Sequence, residues 1–483
     1  MTVLECCEGE QRAEKSKSRK CCDDAIDVCY LLLLPPELLF FILTRFGLSA
    51  RDLVSLDQTC HAFHSTQENE HANSDGIGSS FTETAARVIV RKLRNKRLAS
   101  LKVYENFSWK QRLQVVDHLE SIMPALATGS YQNLLINQMG KVVSWGGGRL
   151  GQLGIGVNED RSSPVDITSC IKDGFGIPMQ VSAGCAHSAV VTDQGLALTF
   201  GDGRYNQLGH SDTRVYNQPC LVQYLSHIQL LQVSCGSCHT LFVDTAGYVY
   251  SVGQGDNGQL GQGDGNRQVS TPLPIELPEK VRIMYVDAGV SHNVLVSYCG
   301  KLLTHGFGGF GQLGHGGTRS IFTPQTVADL LHVKIVYAAA GPKQTLCVDS
   351  KGRCYAFGYG ADGTLALGNY ENTNRPRFIE ALEGVDIKMV AASQETSLFV
   401  SLHGTAYWSG IGLGHMQQHK TCLPTVIRMC EHIEWGALGD SHAALLTRSG
   451  NVLTIGKNGR GQAGQPETEQ VVDSYTKVAI MLT

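Results

Sequence analysis

The sequence lacks a long apolar run, a large net charge of either sign and every common catalytic motif. Its most apolar stretch, CYLLLL, stops at Pro35-Pro36-Glu37, far short of the ~20 residues that a membrane helix needs. The first thirty residues are too charged and polar for a secretory signal, so a soluble protein of the cytoplasm or the nucleus is expected. The formal net charge is −4, which supplies no basic field for nucleic acid. There is no nucleophile elbow, no H-E-x-x-H and no phosphate loop ending in G-K-(S/T), so no enzyme constellation emerges. Cysteines are present, sixteen of them, but scattered. C-x-x-C occurs once, as Cys235-Gly-Ser-Cys238, with no second pair to complete a zinc site. Neither a metal nor a cofactor is expected.

Glycine is abundant and unevenly placed. Four of the 54 glycines fall in residues 1–126, which sets a composition boundary there. The stretch GQGDNGQLG (253–261) fits G-x-G-x-x-G and could pass for a dinucleotide loop, but it recurs. Related loops lead with Gly146, Gly201, Gly253, Gly306, Gly358, Gly410 and Gly456, at steps of 55, 52, 53, 52, 52 and 46 residues. A second motif runs in phase with it, as in VSAGCAHSAVVTDQG (181–195) and VDAGVSHNVLVSYCG (286–300), and also occurs seven times. Seven copies at a fixed period are architecture, not a nucleotide site. The segments between are short β-branched or aromatic runs ended by Gly, Asp or Asn turns, and no segment has a long helical period. Units of about 52 residues made only of strands suggest four-stranded propeller blades. The first copy of the second motif (127–140) precedes the first glycine loop, and the last unit ends without one. Strands from the two ends are therefore expected to share a blade and latch the ring.

His187, His239, His292 and His442 recur at one position of the second motif, where Gln132, Gln344 and Thr396 stand in the other copies. A residue that alternates with Gln and Thr around a ring reads as a hydrogen-bonding strut between blades rather than a catalytic or metal-binding group.

These two motifs resemble those of the regulator of chromosome condensation family, over residues 127–483; the Tyr/Trp pattern of kelch repeats is missing. The resemblance implies a mainly β fold, a seven-bladed propeller over 125–483. Family analogy would also allow guanine-nucleotide exchange on a small GTPase. The chromatin binding that accompanies it finds no support in a propeller with 24 basic and 27 acidic residues. Ultraviolet-sensing propellers that share the fold depend on clustered tryptophans and a repeated Gly-Trp-Arg-His-Thr motif. This chain has Trp109, Trp145, Trp408 and Trp435, and no such motif.

Ahead of the propeller, residues 1–29 read as a disordered tail, 30–64 as short amphipathic helices, 65–80 as a polar linker and 81–124 as a helical spacer. The basic run RKLRNKR (91–97) reads as a solvated helix face. Residues 34–63 contain L-P-x-E-L-L-x-x-I-L, D-L-x-x-L and C-x-x-F, and resemble an F-box. Gly47-Leu48 are an apparent insertion, and Phe63 stands where a tryptophan is common. The resemblance implies a small N-terminal α-helical F-box-like domain that docks on the Skp-type adaptor of a cullin complex through Leu34, Pro35, Leu38, Ile42, Leu43, Leu53 and Leu56. The chain would then be the substrate receptor of a ubiquitin ligase, without catalysis of its own; a plain interaction scaffold is the alternative. The target protein would be taken by loops near the glycine turns, where Arg149, Arg204, Asp256, Asn257, Phe310 and Arg460 are the candidates.

Overall fold

A computed structural model of the chain describes residues 125–263, 267–413, 419–466 and 469–480. The F-box-like segment, the linker and the spacer, with the seven adaptor-docking candidates from Leu34 to Leu56, lie outside the described residues. The rest is a seven-bladed β-propeller in which every blade is a four-stranded antiparallel meander. Blade 1 comprises Leu126–Thr128, Gln132–Ile136, Val142–Gly146 and Arg161–Asp166, and blade 7 comprises Ile433–Leu438, His442–Thr447, Val452–Lys457 and Val471–Lys477.

No blade is shared between the chain ends. Each blade takes four consecutive strands, so the expected mixed blade is wrong. The second motif opens each blade as its inner hairpin, and the glycine loop closes it as the link from third to fourth strand. Starting the repeat at the second motif leaves no strand over at either end. The expectation of strands alone is also corrected, because Ser169–Phe175 forms a seven-residue helix between blades 1 and 2. Later connections use single 3-10 turns, as at Gln223–Leu225, Ala328–Leu330 and Glu380–Leu382. All four devices bury one aliphatic side chain at the base of the blade: Ile171, Leu225, Leu330 and Leu382.

The alternation of environments follows from the layering. Second strands are sandwiched between neighbouring blades on both faces, and HSAVVT (187–192), HTLFVD (239–244) and HNVLVS (292–297) are buried at every position. Outer strands such as RSSPVD (161–166) are half-buried or exposed at every position. First strands of all seven blades line an axial cavity of about 180 Å³.

Two sets of glycines set the geometry. The seven lead glycines have φ between +100° and +113°, and each sits at a register irregularity between third and fourth strands. A Cβ on Gly253 would lie 2.5 Å from the Cys238 carbonyl oxygen, so only glycine fits. The glycines of the second motif form a ring. A Cβ on Gly129 would meet Gly184 O at 2.1 Å, one on Gly184 would meet Gly236 O at 2.2 Å, and one on Gly439 would meet Gly129 O at 2.5 Å, which brings the last blade back to the first.

Candidate binding face

The blade topology fixes which side chains share a face. Turns from first to second strand and glycine loops from third to fourth strand both lie at one end of the ring; the other connections lie at the opposite end.

In five of the seven loops a glutamine holds the turn from within. Gln152, Gln207, Gln259, Gln312 and Gln462 are buried, and each side-chain oxygen accepts the backbone N–H two residues earlier, at 2.8–2.9 Å. The next residue's carbonyl accepts a third-strand hydroxyl, as from Thr199 to Leu208 at 2.7 Å and Thr304 to Leu313 at 2.7 Å. Each of these five loops thereby folds as an Asx-like turn supplied by a glutamine, and the residues before it are presented outward.

The recurring histidines bind this loop to the next blade. His239 Nε2 is 2.7 Å from Asn293 Oδ1, and Asn293 Nδ2 donates to Gln259 O at 2.6 Å. His187–Thr240–Gln207, His292–Thr345–Gln312 and His442–Asn133–Gln462 repeat the relay. The middle threonines use their hydroxyl hydrogen on the carbonyl and the middle asparagines present an amide oxygen, so in each case the histidine must donate from Nε2. Burial pushes these imidazoles from an ordinary 6.5 to about 3 for His187 and His292, and to about 4 for His239 and His442. They are neutral struts at pH 7. Where Gln replaces His, it reaches across directly: Gln132 Nε2 donates to Gly184 O at 3.0 Å, and Gln344 Nε2 to Ser393 O at 2.7 Å.

The six candidate loop residues all fall on this one face but do not converge. Arg149 pairs with Asp160 (3.0 Å) inside its own loop. Arg204 makes a bidentate pair with Asp202 (2.7–3.1 Å). Burial alone would raise the Asp202 carboxyl, but its hydrogen bonds from Arg204 hold it below the usual value. Asp256 takes a bond from Gln254 at 2.8 Å, and the Asn257 N–H goes to Gln259. Phe310 and Arg460 do join neighbours. The Phe310 ring meets Phe307 and Tyr359 edge-on, with Lys343 Nζ 5.4 Å and 5.1 Å from the Phe310 and Tyr359 centroids. The Arg460 guanidinium lies 4.2 Å over the Tyr131 ring. Sequence reasoning missed Tyr131 and Lys343. Both occupy the position just before the His/Gln strut (Gln132, Gln344), a register that the recurring histidines already marked in the sequence.

Cys235 of the single C-x-x-C pair is buried, and burial pushes its thiol up to about 12. Among the described residues no three His, Cys, Asp or Glu side chains converge to hold an ion. No helix of the described residues is long and apolar enough to cross a membrane. Trp145, Trp408 and Trp435 are buried at separate places in blades 1, 6 and 7; Trp435 packs edge-on against Tyr337 at the axis.

Comparison with known proteins agrees with this geometry. The family model described as the regulator of chromosome condensation (RCC1) repeat matches residues 139–191, 194–243, 246–296, 300–348 and 351–400, and a second model of the same description matches 231–259 and 437–462. The chain is 30% identical over 334 residues to the ultraviolet-B receptor UVR8 of Arabidopsis thaliana, covering 68% of this chain and 75% of that protein. It is 32% identical over 297 residues to the human E3 ubiquitin-protein ligase HERC2, which covers 61% of this chain but 6% of HERC2. Among solved structures, Prp20p from Saccharomyces cerevisiae superposes with a TM-score of 0.65 at 18% identity, covering 76% of this chain and 90% of that one. Human WBSCR16 superposes with a TM-score of 0.63 at 20% identity, covering 70% and 95%. The motifs, the fold and the family models coincide over the same residues: the chain belongs to the RCC1-repeat family.

Proposed function

We propose that this chain is the substrate-recognition subunit of a cullin-type ubiquitin ligase. Its F-box-like segment (30–64) docks on a Skp-type adaptor, and the glycine-loop face of the propeller binds the protein to be modified. Catalysis belongs to partner subunits, and this chain contributes proximity. The observation that carries the reading is the pairing of an L-P-x-E-L-L-x-x-I-L segment with a rigid ring, five of whose seven loops hold one backbone and present different side chains. The likeness to HERC2 supports it for the propeller alone, since the chain spans so little of that protein. Cytoplasm and nucleus both fit.

Light sensing, suggested by the name of the Arabidopsis relative, lacks its chromophore chemistry here: no two tryptophans pair among the ring contacts of the described residues.

Adaptor binding tests the proposal. The full-length chain mixed with a Skp-type adaptor should form a complex with a dissociation constant of about 1 µM or tighter, seen by size exclusion and calorimetry. A Leu38→Asp, Leu53→Asp variant should lose it while the propeller stays folded. A folded wild-type chain that forms no complex would sink the ligase reading, and nucleotide-exchange assays on small GTPases would follow.

A further inference from the structure

Six of the seven outer strands carry a proline at one register position: Pro164, Pro219, Pro272, Pro324, Pro376 and Pro424. The following residue pairs with the third-strand residue two before the lead glycine, as Val165 with Ser144 and Thr425 with Trp408. Three residues beyond the proline, an N–H is donated inward, as from Ile167 to Val142 O at 2.9 Å. Alternation then turns the proline nitrogen outward, to the solvent edge of the blade. There the missing N–H interrupts the row of donors that would otherwise template another strand.

Blade 7 breaks the pattern. Its outer strand, Val471–Lys477, has Thr476 paired with Thr454 and the inward bond from Val478 to Val452 O at 2.8 Å, so the proline position is Tyr475. All seven outer strands have the same register irregularity, so the bulge does not distinguish this edge; the backbone N–H of Tyr475 does.

The strand V-V-D-S-Y-T-K is complementary to itself. In an antiparallel pair centred on Tyr475, the two Tyr475 residues exchange N–H···O bonds, and Asp473 of each copy stands across from Lys477 of the other. Both charged residues are exposed at the edge. We propose that the blade 7 edge is a self-association surface, which joins two copies of this chain about a two-fold axis through Tyr475 in an isologous contact. The surface is separate from the glycine-loop face, so it does not depend on what that face binds.

Sedimentation and light scattering on the full-length chain, up to about 100 µM, test this. The expected result is a concentration-dependent dimer, weakened at least about tenfold by Tyr475→Pro, which restores the residue used in the other six blades. Asp473→Lys alone should weaken it as well, and Asp473→Lys with Lys477→Asp should restore it. A chain that stays monomeric over the range, or a dimer indifferent to Tyr475→Pro, overturns the proposal. If Tyr475→Pro fails to fold, the charge exchange decides: no restoration in the double variant overturns it.

Discussion

Asn293 shows how much of this fold rests on single polar atoms. It is fully buried between blades 3 and 4, accepts from His239 and donates to Gln259 O, so its removal strands a donor and an acceptor at once. Asn293→Ala should cost about 2–4 kcal/mol in urea or thermal unfolding, because each stranded group carries its own desolvation cost. Asn293→Thr should cost less, since Thr240 and Thr345 do the same work in neighbouring seams with contacts of 2.9 Å and 2.8 Å to the histidine. Equal losses in the two variants would refute the relay. Backbone positions give a matched pair. Gly253→Ala places a methyl group 2.5 Å from a carbonyl oxygen at φ +113° and should cost about 2 kcal/mol or more. Gly317→Ala, where a Cβ meets nothing within 4 Å, should stay within about 0.5 kcal/mol of wild type. Thermal melts of the two variants compare them directly.

At the scale of the element, the seams between blades are unequal. Four have the full histidine relay, including the one that closes blade 7 on blade 1, so closure needs no shared blade. Two use a glutamine. Between blades 6 and 7 neither is present: Thr396 turns back to Ile411 O in its own blade, and Ala443 occupies the place held elsewhere by Asn, Ser or Thr. In place of a buried side-chain relay, this seam has Gly436 N–H to the Met389 sulfur at 3.3 Å, a weak acceptor, beside the Ile433 N–H to Gly404 O bond (3.0 Å) and the partly exposed Lys388–Glu434 ion pair (3.3 Å). Amide exchange should therefore be faster in the first two strands of blade 7 than in those of blade 3, read by mass spectrometry on matched peptides. Equal protection would show that apolar packing alone sets seam strength. The seven blades and their strands were legible in the sequence because motif spacing reports the repeat directly. The phase of the repeat was not, since two motifs in fixed alternation do not say which one opens a blade; hydrogen bonding between strands decides that. Ala443 was equally visible, but its meaning depends on a partner one blade away. The candidate face was half legible: Phe310 and Arg460 sit in the glycine loops, whereas Lys343 and Tyr131 reach them from a different motif.

For the whole molecule, the buried histidines set the response to acid. His187, His239, His292, His305 and His442 ordinarily titrate near 6.5 and are held by burial at about 3 to 4 in the folded chain. Below 6.5 the unfolded chain binds protons that the folded chain refuses, so their contribution to stability is present above 6.5 and is lost as pH falls toward their folded values. Asp287, on the axial cavity, works the other way. Burial raises it from 3.8 to about 6, so from 6 down to 4 the folded chain holds a proton that the unfolded chain does not. Five histidines against one aspartate leave a net uptake on unfolding of about four protons near pH 5 from these groups. As far as these residues govern it, the urea midpoint should begin to fall gently between pH 7.5 and 6.5, then steeply toward pH 4.5. His239→Gln, which installs the residue used at that position in blades 1 and 5, should remain folded at pH 7 and lower the slope near pH 5 by about one proton. A midpoint that stays level down to pH 5, or a slope unchanged in His239→Gln, would mean that these imidazoles take up protons in the folded ring, and the neutral-strut assignment would fall with it.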